Sequence, residues 1–165
     1  MFFSKEAVLT LLSEKGIPFS KADHPAVHTI EEMDSLGLEN AECIAKNLFL
    51  RDDKKRQYYL LCLRPHQRAD LKRLRTVLAS RPLSFASEED LQALLGLSKG
   101  SVTPLGVLND EARRVCVWFD VSFQGGQIGV HPNDNTATVW LETSALLRLI
   151  EGHGNPAGFA DFSLL

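Results

Sequence analysis

Gln127-Ile128-Gly129-Val130-His131-Pro132-Asn133-Asp134-Asn135-Thr136-Ala137-Thr138-Val139-Trp140-Leu141 is the stretch on which the reading of the fold turns. Gln127–Val130 and Thr136–Leu141 alternate apolar with small or polar residues, so both read as strands with one buried face. The segment between them carries more side-chain donors and acceptors than a plain hairpin tip needs. Pro132 fixes its own φ and drives His131 toward extended geometry, which holds an imidazole at a strand end. Asn133, Asp134 and Asn135 can bond local backbone and close a tight turn. Taken alone, this is equally a turn that happens to contain one histidine.

Working outward, helices and strands alternate with no repeat, low-complexity tract or linker. Ala7, Val8, Leu11 and Leu12 have helical spacing within Ser4–Lys15, and Gly16 stops that helix. Ile17–Asp23 reads as a strand. Thr29-Ile30-Glu31-Glu32 is a capping box for a short helix ending near Gly37. Ile44–Leu50 and Gln57–Leu63 read as a hairpin around a charged turn. His66–Ala79 reads as a helix with Leu71, Leu74, Val77 and Leu78 inward and Arg68, Lys72 and Arg75 on another face. Ser87 caps a helix that Gly96 ends, a strand follows at Arg114–Phe119, and a helix runs from Thr143 to about Glu151. The expectation is α+β: a single domain over residues 1–165, with a mixed twisted β-sheet flanked by helices.

Composition narrows the function. The 165 residues are 44% hydrophobic and 24% charged, which suits one water-soluble domain with a real core. No run approaches the ~20 apolar residues of a membrane span. The start lacks a basic region followed by an apolar signal core, so the expected location is cytoplasmic. Cys43, Cys62 and Cys116 have no CxxC spacing and apolar neighbours, which predicts small buried hydrophobes rather than a disulfide or a nucleophile. The net charge of −3 conceals an asymmetry: Lys46–Arg81 holds 11 basic residues and 3 acids, a net of +8, against −11 elsewhere. A basic sector on an acidic protein suits a polyanion such as nucleic acid, although a solvated charged face gives the same pattern.

Two more features point to a site. In Ile44-Ala45-Lys46-Asn47-Leu48-Phe49-Leu50, alternation sets Lys46 in line with Ile44, Leu48 and Leu50. An ammonium there either snorkels to an edge or meets an anion, because burying it unpaired costs several kcal/mol. Asn47 falls on the opposite face unless the strand end lets both reach one cleft. Gly100-Ser101-Val102-Thr103-Pro104 follows a helix stop; its glycine permits positive φ or close backbone approach, and its proline stiffens the far end. A metal site built from His24, His28 and His131 is a further option, but Pro25 spoils helical i,i+4 presentation and there is no HExxH pattern.

Four segments carry a resemblance when read in order: His24-Pro25-Ala26-Val27-His28-Thr29, Ala45-Lys46-Asn47-Leu48-Phe49-Leu50, Gly100-Ser101-Val102-Thr103-Pro104-Leu105-Gly106, and Ile128-Gly129-Val130-His131-Pro132-Asn133-Asp134-Asn135-Thr136. From Ser4 to Phe162 the chain resembles the free-standing prolyl-tRNA editing proteins, the ProX branch of the YbaK-like aminoacyl-tRNA deacylases. One departure is Lys99, where many relatives carry proline before the glycine. The resemblance implies the fold of the prolyl-tRNA synthetase-associated domain and hydrolysis of the ester that joins a wrong amino acid, alanine first, to proline tRNA. It implies no cofactor and no metal. Catalytic residues would be Lys46, Asn47, Gly100 and His131; Lys46 would engage the terminal adenosine or its phosphate, Asn47 the acceptor end, and His131 the α-amino group or the pocket wall. Substrate-binding residues would be His28, Ser101, Val102, Thr103, Pro104, Asn133 and Asp134, and tRNA-binding residues Arg68, Lys72 and Arg75. Proline tRNA would be the partner, with prolyl-tRNA synthetase or an elongation factor joining transiently, and no membrane. A cysteinyl-tRNA deacylase and a non-catalytic tRNA-binding module are the alternatives.

Overall fold

Ser4 accepts a hydrogen bond from Ala7 N–H through its side chain and opens α1 (Lys5–Glu14). Thr29 and Ser87 open α2 (Ile30–Ser35) and α4 (Glu88–Leu95) in the same way, by accepting from the amides of Glu32 and Asp90. These starts follow from the caps in the sequence. The computed structural model describes residues 2–164, so Met1 and Leu165 of the expected 1–165 domain lie outside it.

The strands are β1 (Phe19–Asp23), β2 (Lys46–Asp52), β3 (Tyr58–Leu63), β4 (Leu83–Phe85), β5 (Val115–Asp120), β6 (Gln127–Val130), β7 (Ala137–Glu142) and β8 (Ala157–Ala160). They sort into two sheets: a mixed five-stranded one in the order β4-β2-β3-β5-β8, and an antiparallel three-stranded one in the order β1-β7-β6. With α3 (Leu71–Leu78) and α5 (Thr143–His153), the fold is α+β. The sheets meet where Ile44 bridges Gly129 and the Ala45 N–H donates to the Gly129 carbonyl at 2.9 Å. A Cβ at Gly129 would come within 2.9 Å of Trp140 Nε1 and 3.0 Å of Ile44 Cγ1, so glycine is what permits this approach.

Three apolar clusters fill the interior. Leu12, Leu60, Phe119, Ile128 and Leu146 belong to the largest, which lies between the sheets and α1, α4 and α5. Leu74 of α3 packs with Leu50, Leu61, Leu63 and Phe162 on the other face of the mixed sheet. Val27, Met33, Ile44 and Trp140 form the third, beneath the segment that leads into α2. Of the cysteines only Cys62 is fully buried, and burial pushes its thiol pKa well up; Cys43 and Cys116 are half-buried rather than buried as expected.

Two expectations need correction. The helix expected over 66–79 begins only at Leu71, because the Asp70 carboxylate caps it by accepting from the amides of Lys72 and Arg73. Arg68 therefore lies in the preceding loop, not on a helical face with Lys72 and Arg75. The loop expected over 100–104 ends at Thr103, because the Thr103 hydroxyl accepts from the Leu105 amide and opens a 3-10 helix at Pro104–Asn109.

Candidate functional site: a lysine–histidine cleft

Lys46 starts β2, where the chain leaves the bridge to β6. That position brings Lys46 and Asn47 to the same cleft despite their alternation along the strand. The cleft measures about 250 Å³ and is lined by Val27, His28, Met33, Ile44, Lys46, Asn47, Gly100, Val102 and His131, among others. Its walls come from the segment around α2, the start of β2, the loop after α4 and the end of β6. A larger cavity of about 660 Å³ between α1 and α5 is lined by none of the candidate site residues.

The Lys46 ammonium donates to the main-chain carbonyl of Gln67. Burial lowers its pKa, and it has no carboxylate partner among the described residues. A half-buried cation satisfied only by a carbonyl dipole still favours an incoming anion. The Asn47 side-chain NH2 donates to the Val102 carbonyl at 3.1 Å, which ties β2 to the loop, while its Oδ1 is buried without a partner.

Gly100 has φ +91°, and a Cβ there would sit 2.7 Å from His28 Nδ1. Gly100, Val102 and His28 all face the cleft. Ser101, Thr103 and Pro104 do not line it. They are buried beneath, where the Thr103 hydroxyl donates to the His131 carbonyl at 2.6 Å and fixes the loop to the His131 segment.

His131 Nδ1 lies 2.9 Å from the Ala137 carbonyl. A carbonyl can only accept, so Nδ1 carries the hydrogen and Nε2 of the neutral ring keeps its lone pair. Burial holds the His131 pKa below the usual imidazole value, against the opposing bond to Ala137, which favours the neutral ring near pH 7. His24 stands beside it, ring centroids 6.1 Å apart, with its nitrogens engaged by the Pro25 carbonyl and the Thr138 hydroxyl. Among the described residues no group of three or more His, Cys, Asp or Glu side chains is arranged to hold a metal ion.

Asn133 and Asp134 are not brought into the cleft lining. Asn133, at φ 60°, donates to the Phe3 carbonyl at 3.1 Å, and the Asp134 carboxylate accepts from the Thr136 amide at 2.8 Å and from its hydroxyl. Asn135 donates to the Val27 carbonyl at 2.9 Å. These side chains shape the turn that presents His131 and anchor the wall that carries Val27.

Residues 24–149 match the family model described as the aminoacyl-tRNA editing domain. The chain belongs to that family. As an aminoacyl-tRNA editing domain it is a hydrolase, a deacylase acting on aminoacyl-tRNA. The chain is 47% identical over 153 residues to the prolyl-tRNA editing protein ProX of Acetoanaerobium sticklandii, covering 92% of this chain and 93% of that protein. It is 36% identical to the prolyl-tRNA synthetase associated domain-containing protein 1 of Danio rerio, covering 85% and 77% respectively. A solved structure described as a candidate trans-editing enzyme for prolyl tRNA synthetase shares the fold at TM-score 0.69 and 22% identity, covering 95% of this chain and 96% of that one. No helix among the described residues is long and apolar enough to cross a membrane.

The editing domain's basic sector divides on inspection. Arg64 is consumed structurally: its guanidinium donates to the Glu42 and Ser122 carbonyls and the Ser122 hydroxyl, and it lies over the Phe123 ring. Arg81 pairs with Asp53 at 2.7 Å. Arg68, Lys72 and Arg75 are exposed. Arg68 directly follows Gln67, the residue that holds the Lys46 ammonium, so the exposed cations start beside the cleft. Sequence reasoning missed the apolar walls Val27, Ile30, Met33 and Ile44. The capping box located α2 but gave no sign that its inner face overlooks the site.

Proposed function

We propose that this editing domain removes alanine from mischarged proline tRNA. The observation that carries the reading is the pairing of a cation without a carboxylate partner, Lys46, with a neutral imidazole, His131, on one small cleft with apolar walls. The 47% identity to a protein named for prolyl-tRNA editing supports proline tRNA as the substrate. Lys46 draws in the phosphate of the terminal nucleotide, and Asn47 holds the acceptor end. His131 Nε2 accepts a hydrogen bond from the substrate's α-ammonium, while Val27, Met33 and Val102 surround the methyl side chain. His28 and the backbone at Gly100 border the ester. Water adds to the ester carbonyl, the bond to the ribose oxygen breaks, and that oxygen takes up a proton. Prolyl-tRNA synthetase or an elongation factor is the transient partner of this cytoplasmic cycle.

A second, smaller sieve is physically required. One methylene more or less in an apolar pocket changes binding by only about 1–3 kcal/mol, so a proline pocket alone rejects alanine weakly. Alanine carried on proline tRNA is expected to be released in proportion to enzyme concentration and without loss in the presence of EDTA. Absence of release would defeat the reading, and loss with EDTA that zinc restores would make the histidines ligands.

Two further outcomes are expected. Because burial depresses the His131 pKa, the ring is neutral at pH 7 and becomes cationic only at lower pH, where it would repel the α-ammonium. The pH profile of kcat/KM should therefore fall on the acid side with a midpoint below about 6.5, and His131→Ala should abolish that limb. Neutralising Arg68, Lys72 and Arg75 together should weaken tRNA binding and flatten the log Kd against log salt slope by roughly 0.7–0.9 for each phosphate that is no longer neutralised. An unchanged slope would return these residues to a solvated face.

A further inference from the structure

The outer edge of β2 is covered at two points. The Gly129 carbonyl accepts from the Ala45 N–H at 2.9 Å, and the Ala86 N–H donates to the Phe49 carbonyl at 3.0 Å where β4 begins to pair. Strand alternation puts the Asn47 backbone N–H and C=O on this same edge, between the two covers, where no strand pairs with it. A second pocket, of about 350 Å³, opens there, with Asn47, Phe49, Phe85, Ser87, Lys99 and Val102 among its lining. Asn47 and Val102 also line the lysine–histidine cleft, so the two cavities share one wall.

Phe85 is 56% exposed, the most exposed large hydrophobic residue among those described. Its backbone is fixed by pairing with Leu50, so the ring is a held aromatic face and not a loop side chain. The Ser87 hydroxyl oxygen already accepts from the Asp90 amide, which leaves its hydrogen free to donate. Lys99 lies 3.9 Å from Glu88, so the mouth carries no large net charge.

We propose that this pocket holds the unpaired 3′-terminal nucleobase of the acceptor strand, stacked on Phe85, while the aminoacyl ester enters the adjoining cleft. The inference rests on the deacylase reading, since the amino acid and the base are carried by the same ribose and must occupy neighbouring sites. A gap one residue long between two covers is too short for an added peptide strand and suits a flat heterocycle. The neutral mouth fits a base, with the phosphate left to Lys46. Stacking on an aromatic side chain is the general means by which proteins hold unpaired bases.

The test compares wild type, Phe85→Ala and Phe85→Trp in steady-state deacylation of alanine-charged proline tRNA, alongside binding of uncharged tRNA carrying 2-aminopurine as its terminal base. Phe85→Ala should lower kcat/KM about tenfold, mainly through KM, with an unchanged thermal midpoint because the ring is exposed. Phe85→Trp should keep near wild-type KM, and the 2-aminopurine quench should be present in wild type and Phe85→Trp and lost in Phe85→Ala. Unchanged KM and quench in Phe85→Ala, with wild type active, would overturn the pocket assignment. A Phe85-dependent quench in a protein that releases no alanine would instead defeat the deacylase reading and leave the base site standing.

Discussion

Lys46→Ala should lower single-turnover deacylation about a hundredfold or more, the scale seen when a charge-stabilising donor is removed from an active site. Lys46 is half-buried, is held by the Gln67 carbonyl and has no carboxylate partner among the described residues, so its charge remains available to the substrate. Truncation leaves the Gln67 carbonyl without this donor, at a cost of about 1 kcal/mol, which solvent entering the space offsets in part. The fold should therefore persist with a small drop in thermal midpoint. A wild-type rate with an unchanged midpoint would make Lys46 a snorkelling surface residue.

Gly100→Ala should lower kcat by about tenfold or more, equivalent to roughly 1.4 kcal/mol in the barrier. Two causes act together. A left-handed φ of +91° strains any residue with a Cβ, by about 1–3 kcal/mol. The new methyl would also lie 2.7 Å from His28 Nδ1, so the ring must swing away from the cleft wall it forms. Adding His28→Ala to Gly100→Ala removes the collision but not the strain. Measured against the His28→Ala single variant, a smaller loss on adding Gly100→Ala would assign the effect to crowding, and an undiminished loss would assign it to the backbone. Full activity in Gly100→Ala would show that the loop does not border the reacting ester.

Local chemistry made much of this molecule legible in its sequence. Thr29 and Ser87 announce helix starts because each can satisfy an orphan amide, and those caps form as read; Ser4 caps α1 as well, although only the helical spacing had marked that helix. The alternation in Gln127–Val130 and Ala137–Glu142 marks both strands, but the single buried face it suggested is not what forms. Residues 137–141 and 128–130 are buried on both faces, because β7 is the central strand of its sheet and the small or hydroxyl residues Thr138 and Gly129 fit inside. The start of α3 escaped because the helical spacing runs back past Asp70, and only the cap shows where the helix begins. β4 and β8 escaped because they are short edge strands of three and four residues, one preceded by Pro82 and the other containing Gly158.

The cleft was legible in its chemistry but not in its walls. Lys46, Gly100 and His131 stand out because a cation among aliphatics, a glycine-to-proline loop and a proline-held imidazole each ask for an explanation. Val27, Met33 and Ile44 look like ordinary core residues and do belong to an apolar cluster; their edges line a cavity only because three distant segments converge. Asn133 and Asp134 misled for the opposite reason. They are polar and lie next to His131, yet a turn with φ 60° at Asn133 uses their hydrogen-bonding groups to hold its own backbone and that of Phe3.

The most direct test of the account is release of alanine, cysteine and proline from one proline tRNA under single-turnover conditions, with enzyme in excess. Alanine should leave fastest and proline should be spared if the proposed size sieve holds, with the cleft taking a methyl and turning away a ring. Faster release of cysteine would transfer the specificity to the thiol-bearing residue, and prolyl-tRNA cleaved as readily as alanyl-tRNA would contradict the size sieve.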